Sequence, residues 1–163
     1  MEIPLYLSPR MNAGTRQTVS RQLNERLADS GFRFTPQREH VYNVLLARRD
    51  HPTADEVYLR GKRTMPDISM ATVYNCLDAL VKSGLVRQVQ IDRGATRYCP
   101  NMKDHGHFLC DDCGGIFDLD LEISPRTPVT IPAGFQPQEI VVSVRGRCPD
   151  CSRVPARRSP GRE

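Results

Sequence analysis

"SMATVYNCLDALVKSG", residues 69–84, reads as a helix with both ends marked. Ser69 is a side-chain N-cap that can accept from an otherwise unpaired backbone N–H of the first turn. Gly84 supplies a left-handed stop. Val73, Leu77, Leu80 and Val81 share one face, and Thr72, Asn75, Ala79 and Lys82 the other. Immediately afterwards come "LVRQVQI", a turn "DRG" and "ATRYC", the pattern of a β-hairpin.

Upstream, the sequence predicts three further helices. "VSRQLNERLADSG" repeats apolar residues at Val19, Leu23 and Leu27 and stops at Gly31. "TPQREHVYNVLLARRD" opens on Thr35 as cap with Pro36 in the first helical position, and buries Val41, Val44 and Leu45. "HPTADEVYLRGK" carries Thr53 and Glu56 at the spacing of a capping box, with His51 at its start. Helices followed by a short hairpin make a winged helix-turn-helix, whose last helix lies in the DNA major groove.

Around this domain, expected over residues 21–99, the chain divides readily. Residues 1–20 have little periodicity and read as a flexible arm. From residue 100 the composition shifts to the strand-like runs "HFLC", "GIFDLDL" and "EIVVSV", around a stretch containing Pro125, Pro128 and Pro132 that opposes a long helix. Residues 100–151 are expected to form a second, small β-rich domain, and 152–163 a basic disordered tail. The fold class is therefore α+β.

Composition limits the function without choosing it. The chain has 163 residues, 39% hydrophobic and 26% charged, enough for one domain or two small ones. It has no apolar run of the ~20 residues a membrane helix needs and no signal-like start, so a cytoplasmic location is expected. Residues 1–92 carry 13 Lys/Arg against 10 Asp/Glu, an excess that tolerates phosphate but does not by itself indicate it. In such a compartment clustered cysteines point to metal or redox chemistry.

Cys110-x-x-Cys113, 34 intervening residues, then Cys148-x-x-Cys151 is the strongest chemical signal. Two such turns supply the four thiolates of a tetrahedral zinc shell, which leaves no open coordination position and so is structural. Pro149 and Gly114-Gly115 suit the tight turns required. The competing reading is two unrelated thiol pairs or a redox pair. A second cluster, the H-x-H of His105 and His107, lies beside the first pair and projects from one face of an extended strand.

Together "GFRFTPQR", "HPTADEVY", "ISMATVYNCLDALVKSGLV", "HGHFLCDDCG" and "GRCPDC" give the chain, from about Leu23 to Cys151, a pattern that resembles the ferric uptake regulator family of bacterial metal-dependent transcription factors. The resemblance implies a homodimer that binds a palindromic double-stranded DNA operator, with a C-terminal dimerisation domain and a regulatory metal between the domains. It implies that His51, Cys99, His105, His107 and Asp118 hold that metal, apart from the structural Zn2+ on the four cysteines. It implies DNA contacts from Arg33 and from the 69–84 helix, through Ser69, Thr72, Tyr74 and Asn75. Position 75 is usually arginine in the family; asparagine here alters the base preference, because Asn reads adenine where Arg reads guanine. Tyr74 borders the buried face and could equally be a core aromatic.

Fe2+, Mn2+ and Zn2+ all remain open for the regulatory site. Asp118, where many iron sensors have glutamate, resembles the peroxide-sensing branch, in which a ligating histidine, here His51 or His105, is oxidised. Cys99 departs from that pattern, and a thiolate favours zinc, as in the zinc-sensing branch. That branch has an acidic or histidine ligand where this chain has Arg87, and Cys99 could instead pack beside the site. A third metal site found in some relatives is not expected, since Ile140 stands at its histidine position. Cys76 is expected to be a small buried residue.

Two readings from other classes compete with the repressor. One is a zinc enzyme using His105 and His107, which would leave the winged helix idle; no enzyme is expected. The other is a zinc-ribbon scaffold that binds proteins and no DNA.

Overall fold

A computed structural model of the chain describes residues 13–48, 50–90, 94–120, 131–136, 138 and 141–153. Two compact units divide between Met102 and Lys103. The first contains α1 (Ala13–Asp29), α2 (Pro36–Ala47), α3 (Ala54–Gly61), α4 (Met70–Lys82) and the hairpin strands β1 (Arg87–Val89) and β2 (Arg97–Cys99). The second contains β3 (His105–Cys110), β4 (Ile116–Asp120), β5 (Ser143–Gly146) and the one-turn α5 (Pro149–Arg153).

The first unit is a winged helix-turn-helix, and its caps are those read from the sequence. Thr35 Oγ1 accepts from the Arg38 N–H at 3.2 Å, with Pro36 in the first turn. At α3 the capping box closes both ways: Glu56 N–H to Thr53 Oγ1 at 3.3 Å, and Thr53 N–H to Glu56 Oε2 at 2.8 Å. Helix α2 packs on α3 and α4, and α3 on α4. Leu23, Leu27, Val41, Leu45, Val57, Val73, Leu77 and Leu80 form a core from which water is wholly excluded.

Three expectations need correction here. Helix α1 begins at Ala13, so residues 13–20 are helical and not part of an arm. Once Val19, Leu23 and Leu27 anchor the helix, each added residue contributes a backbone hydrogen bond without a new nucleation cost. Ala79 is fully buried and not on the solvent face, because a side chain this small lets the helix sit close to its neighbours. His51 does not begin α3. It precedes the cap Thr53 and is the one non-glycine residue with positive φ (51°) among the described residues. Cys76 is buried as expected, and Tyr74 is 50% exposed, which removes it from the core.

The second unit is a three-stranded sheet in the order β4-β3-β5, with β3 antiparallel to β4 and parallel to β5. The run "EIVVSV" is expected as the last strand; its described end joins β5 (Ser143–Gly146), and pairing reaches back to Val142, whose carbonyl accepts from the His107 N–H at 3.0 Å. The register sets Ser143 opposite His107 and Gly146 opposite Cys110. Gly146 also makes room for a neighbour, since a Cβ there would sit 3.3 Å from the Phe108 ring. The arm up to residue 12, the turn residues Asp92 and Arg93, Pro125, Pro128, Ile140 and the tail from residue 154 lie outside the described residues. No helix among the described residues is long and apolar enough to cross a membrane.

Candidate metal centres and nucleic-acid interface

The four cysteines come together in the second unit. Cys110 ends β3, Cys113 follows on its turn, Cys148 precedes α5 and Cys151 lies within it. Gly114, at φ 67°, folds the first turn back so that its N–H donates to the Cys110 carbonyl at 2.9 Å. The β3–β5 pairing continues through the Asp111 N–H to the Gly146 carbonyl at 2.8 Å, which brings the second cysteine pair alongside the first. All four sulfurs lie within 4.8 Å of one another, and Cys113 Sγ is 3.9 Å from Cys148 Sγ. Two thiolates about 2.3 Å from one tetrahedral zinc would sit about 3.8 Å apart, so the spacing fits that ion.

Backbone donors favour charge on one of these sulfurs. N–H groups of Cys113 and Cys148 aimed at Cys110 Sγ, the latter at 3.3 Å, pull its thiol down to about 6. The Cys151 thiol is pushed up, chiefly by its hydrogen bond with Cys148 and then by desolvation. Cys113 also moves up, the pull of the Gly115 N–H being outweighed by Cys110 and desolvation. Zinc binding therefore displaces protons from Cys113 and Cys151 across the neutral range. Below pH about 6 it must displace the Cys110 proton as well. Zinc affinity should fall as the pH drops, and below about 6 its slope should steepen by roughly another factor of ten per pH unit. Chelator competition between pH 5 and 8 checks this; a slope unchanged through about 6 would contradict it.

A different set of donors sits higher on the same sheet. His105 and His107 alternate on β3 and project from one face, and the register places His107 opposite Asp118. Their Nε2 atoms are 3.1 Å apart, and His105 Nε2 lies 3.5 Å from Asp118 Oδ1. His105 Nδ1 is 2.7 Å from the Lys103 carbonyl, which can only accept, so that nitrogen carries the proton. In the neutral ring Nε2 then offers a lone pair towards His107. Nitrogens about 2.1 Å from one ion at tetrahedral or octahedral angles lie about 3.0–3.4 Å apart. Two imidazoles and a carboxylate so arranged fit a borderline divalent ion such as Fe2+, Mn2+ or Zn2+.

The first unit brings together a further pair of donors. His51 and Cys99 are each 1% exposed, and their ligand atoms lie within 4.8 Å of each other. The Asn101 N–H donates to Cys99 Sγ at 3.4 Å. The Tyr98 N–H donates to the Pro52 carbonyl at 3.0 Å, and Thr53 bridges Arg97, so the strand bearing Cys99 is sewn to the segment bearing His51. This stitching was not legible in the sequence, because it runs through backbone carbonyls and leaves no residue-type signature.

Among the residues expected to meet DNA, Tyr74 and Asn75 lie exposed on α4 and Arg33 lies exposed just before the α2 cap. Thr72 is half-buried, and Ser69 is occupied in capping: its Oγ accepts from the Thr72 N–H at 3.0 Å and shares a hydrogen with Thr72 Oγ1 at 2.8 Å. The pair is exposed on a capped helix, and Ser69 fixes where that helix begins.

A sequence profile described as the Ferric uptake regulator family matches residues 29–144. The chain is 34% identical over 134 residues to the peroxide operon regulator of Bacillus subtilis strain 168, covering 79% of this chain and 90% of that protein. It resembles the structure of the Campylobacter jejuni peroxide stress regulator at 27% identity and TM-score 0.56, over 86% of this chain and 100% of that one. The Helicobacter pylori ferric uptake regulator, described as having three functional metal-binding sites, shares the fold at TM-score 0.67 and 21% identity, over 87% of this chain and 97% of that one.

Proposed function

The chain belongs to the ferric uptake regulator family, and from that premise we propose a metal-responsive transcriptional repressor that acts in the cytoplasm, as a homodimer, on palindromic operator DNA. It is a regulator and not an enzyme. The observation that carries this reading is a mixed His/Asp donor set beside a closed four-cysteine set, in a chain whose α4 exposes Tyr74 and Asn75. The cysteines hold a structural zinc; His51, Cys99, His105, His107 and Asp118 take the regulatory ion. When bound, that ion orders its ligands and so converts metal concentration into a geometry fit for DNA.

Residues 21–99 act as the DNA-binding domain, with Tyr74 and Asn75 of α4 reading the major groove and Arg33 reaching the minor groove. Residues 100–151 act as the dimerisation domain. Exposed apolar side chains there, Phe117 and Val144 at 43% and Phe135 and Val141 at 70%, favour a partner.

Iron(II) or manganese is the regulatory ion favoured by the imidazole and carboxylate donors, and the relative 34% identical is a peroxide regulator. A zinc-sensing alternative rests on one observation, the buried Cys99 thiol beside His51. One experiment tests both. Protein retaining one zinc is equilibrated anaerobically with buffered Fe2+, Mn2+ or Zn2+ and used to select from a random duplex library. A palindrome enriched only with a second metal equivalent, and bound with steep salt dependence, is the expected result. The ion filling that equivalent identifies the sensor class. For an iron-filled protein, peroxide should abolish binding and add one oxygen to His51 or His105. Metal-independent binding, or no enrichment as for a protein-binding scaffold, would reject the reading.

A further inference from the structure

His51 holds a left-handed backbone conformation, at φ 51°, that is strained for a side chain with a Cβ, and it holds it while buried. Something in the surrounding structure must over-determine it. The contacts that do so converge on one residue of the wing. Arg97 Nη1 donates to the His51 carbonyl at 3.0 Å and lies 3.5 Å from Glu56 Oε2. Glu56 is itself fixed, because the same Oε2 accepts from the Thr53 N–H in the α3 capping box. Arg97 also bridges Thr53 through the backbone, and the next residue on its strand donates to Pro52. The guanidinium therefore ties the start of α3, the strained carbonyl of His51 and strand β2 into one unit.

Two residues further along β2, on the same side of the strand as Arg97, lies Cys99. We propose that Arg97 is the positioning residue of the regulatory site: it fixes the separation of His51 from Cys99 and draws the wing strand to the α3 N-terminus. Both contacts fall to Nη1 at the far end of the long, planar guanidinium, a reach that the shorter ammonium of a lysine reproduces only in part. A shifted wing would change the His51–Cys99 pair, and a change in that pair would move the wing. The proposal rests on the regulatory-site reading above and gives the first unit its part in it.

The test uses full-length protein with its four-cysteine zinc retained and the regulatory ion removed. Alkylation of individual thiols is followed by peptide mass mapping in wild type, Arg97→Met, Arg97→Lys and Glu56→Gln. Cys76, buried in the core of the same unit, reports global opening. Arg97→Met should speed Cys99 alkylation about tenfold, the change expected when a hydrogen bond from a charged donor is lost from a local opening equilibrium. Cys76 should not change, and Arg97→Lys and Glu56→Gln should fall between. With Co2+ as the regulatory probe, Arg97→Met should weaken binding and diminish any thiolate charge-transfer band. Unaltered Cys99 reactivity in Arg97→Met overturns the proposal, as does a parallel rise at Cys76. If wild type takes up Co2+ but no variant alters that binding, the proposal fails even where Cys99 responds; if wild type takes up no second metal equivalent, it is the regulatory-site reading that fails.

Discussion

Cys148→Ser is expected to cost the second unit its zinc and its fold together, while the winged helix remains intact. Cys148 is 3% exposed, its sulfur lies 3.9 Å from Cys113 Sγ, and its N–H donates to Cys110 Sγ, so it contributes to the cluster in two ways. The unit has little else to hold it. Among its described residues, only Leu109 and Ile116 are buried apolar side chains apart from cysteines. Full burial of two such side chains contributes roughly 3–6 kcal/mol, whereas a structural zinc contributes about 10–16 kcal/mol in small domains. Zinc therefore dominates the stability of this half, and a three-thiolate site cannot replace it. Zinc content, sedimentation and hydrogen exchange measured on one preparation would check this. A soluble, zinc-replete dimer with protected β3 amides would refute it.

His107→Ala is expected to have the opposite selectivity: the four-cysteine zinc stays and metal-driven DNA binding is lost. His107 is 8% exposed, and its Nε2 faces His105 Nε2 at 3.1 Å across from Asp118. Removing it takes away one of the proposed ligands and unseats the ring against which His105 is held. Loss of an outer-shell partner alone typically lowers metal affinity 10- to 100-fold, so loss of the ligand should lower it by at least about a hundredfold. Titration of the second metal equivalent, read alongside operator binding at fixed free metal, measures both effects. Unchanged operator affinity would remove His107 from the regulatory site.

Both predictions start from residues that could be picked out one at a time. The thiol pairs, the H-x-H and the caps at Thr35, Thr53 and Ser69 are local signals, each complete within a few positions. Local signals survive folding because turn geometry, capping and side-chain alternation involve near neighbours only. The same locality explains the misread α1, whose first turns carry no apolar repeat. Extended structure around Val142 was legible as well, but the strand it joins is decided by register against β3, more than 30 positions away.

The sequence by itself determined the chemistry available to this protein: four thiolates, a pair of alternating imidazoles, and a capped helix with polar residues on offer. Tertiary structure alone decided how those groups are held. It turned Tyr74 outward, buried Ala79, and set His51 in a left-handed conformation before α3. Arg97 grips the His51 carbonyl from 46 positions away. Backbone carbonyls and strand registers have no residue type of their own, so only the folded chain assigns them partners.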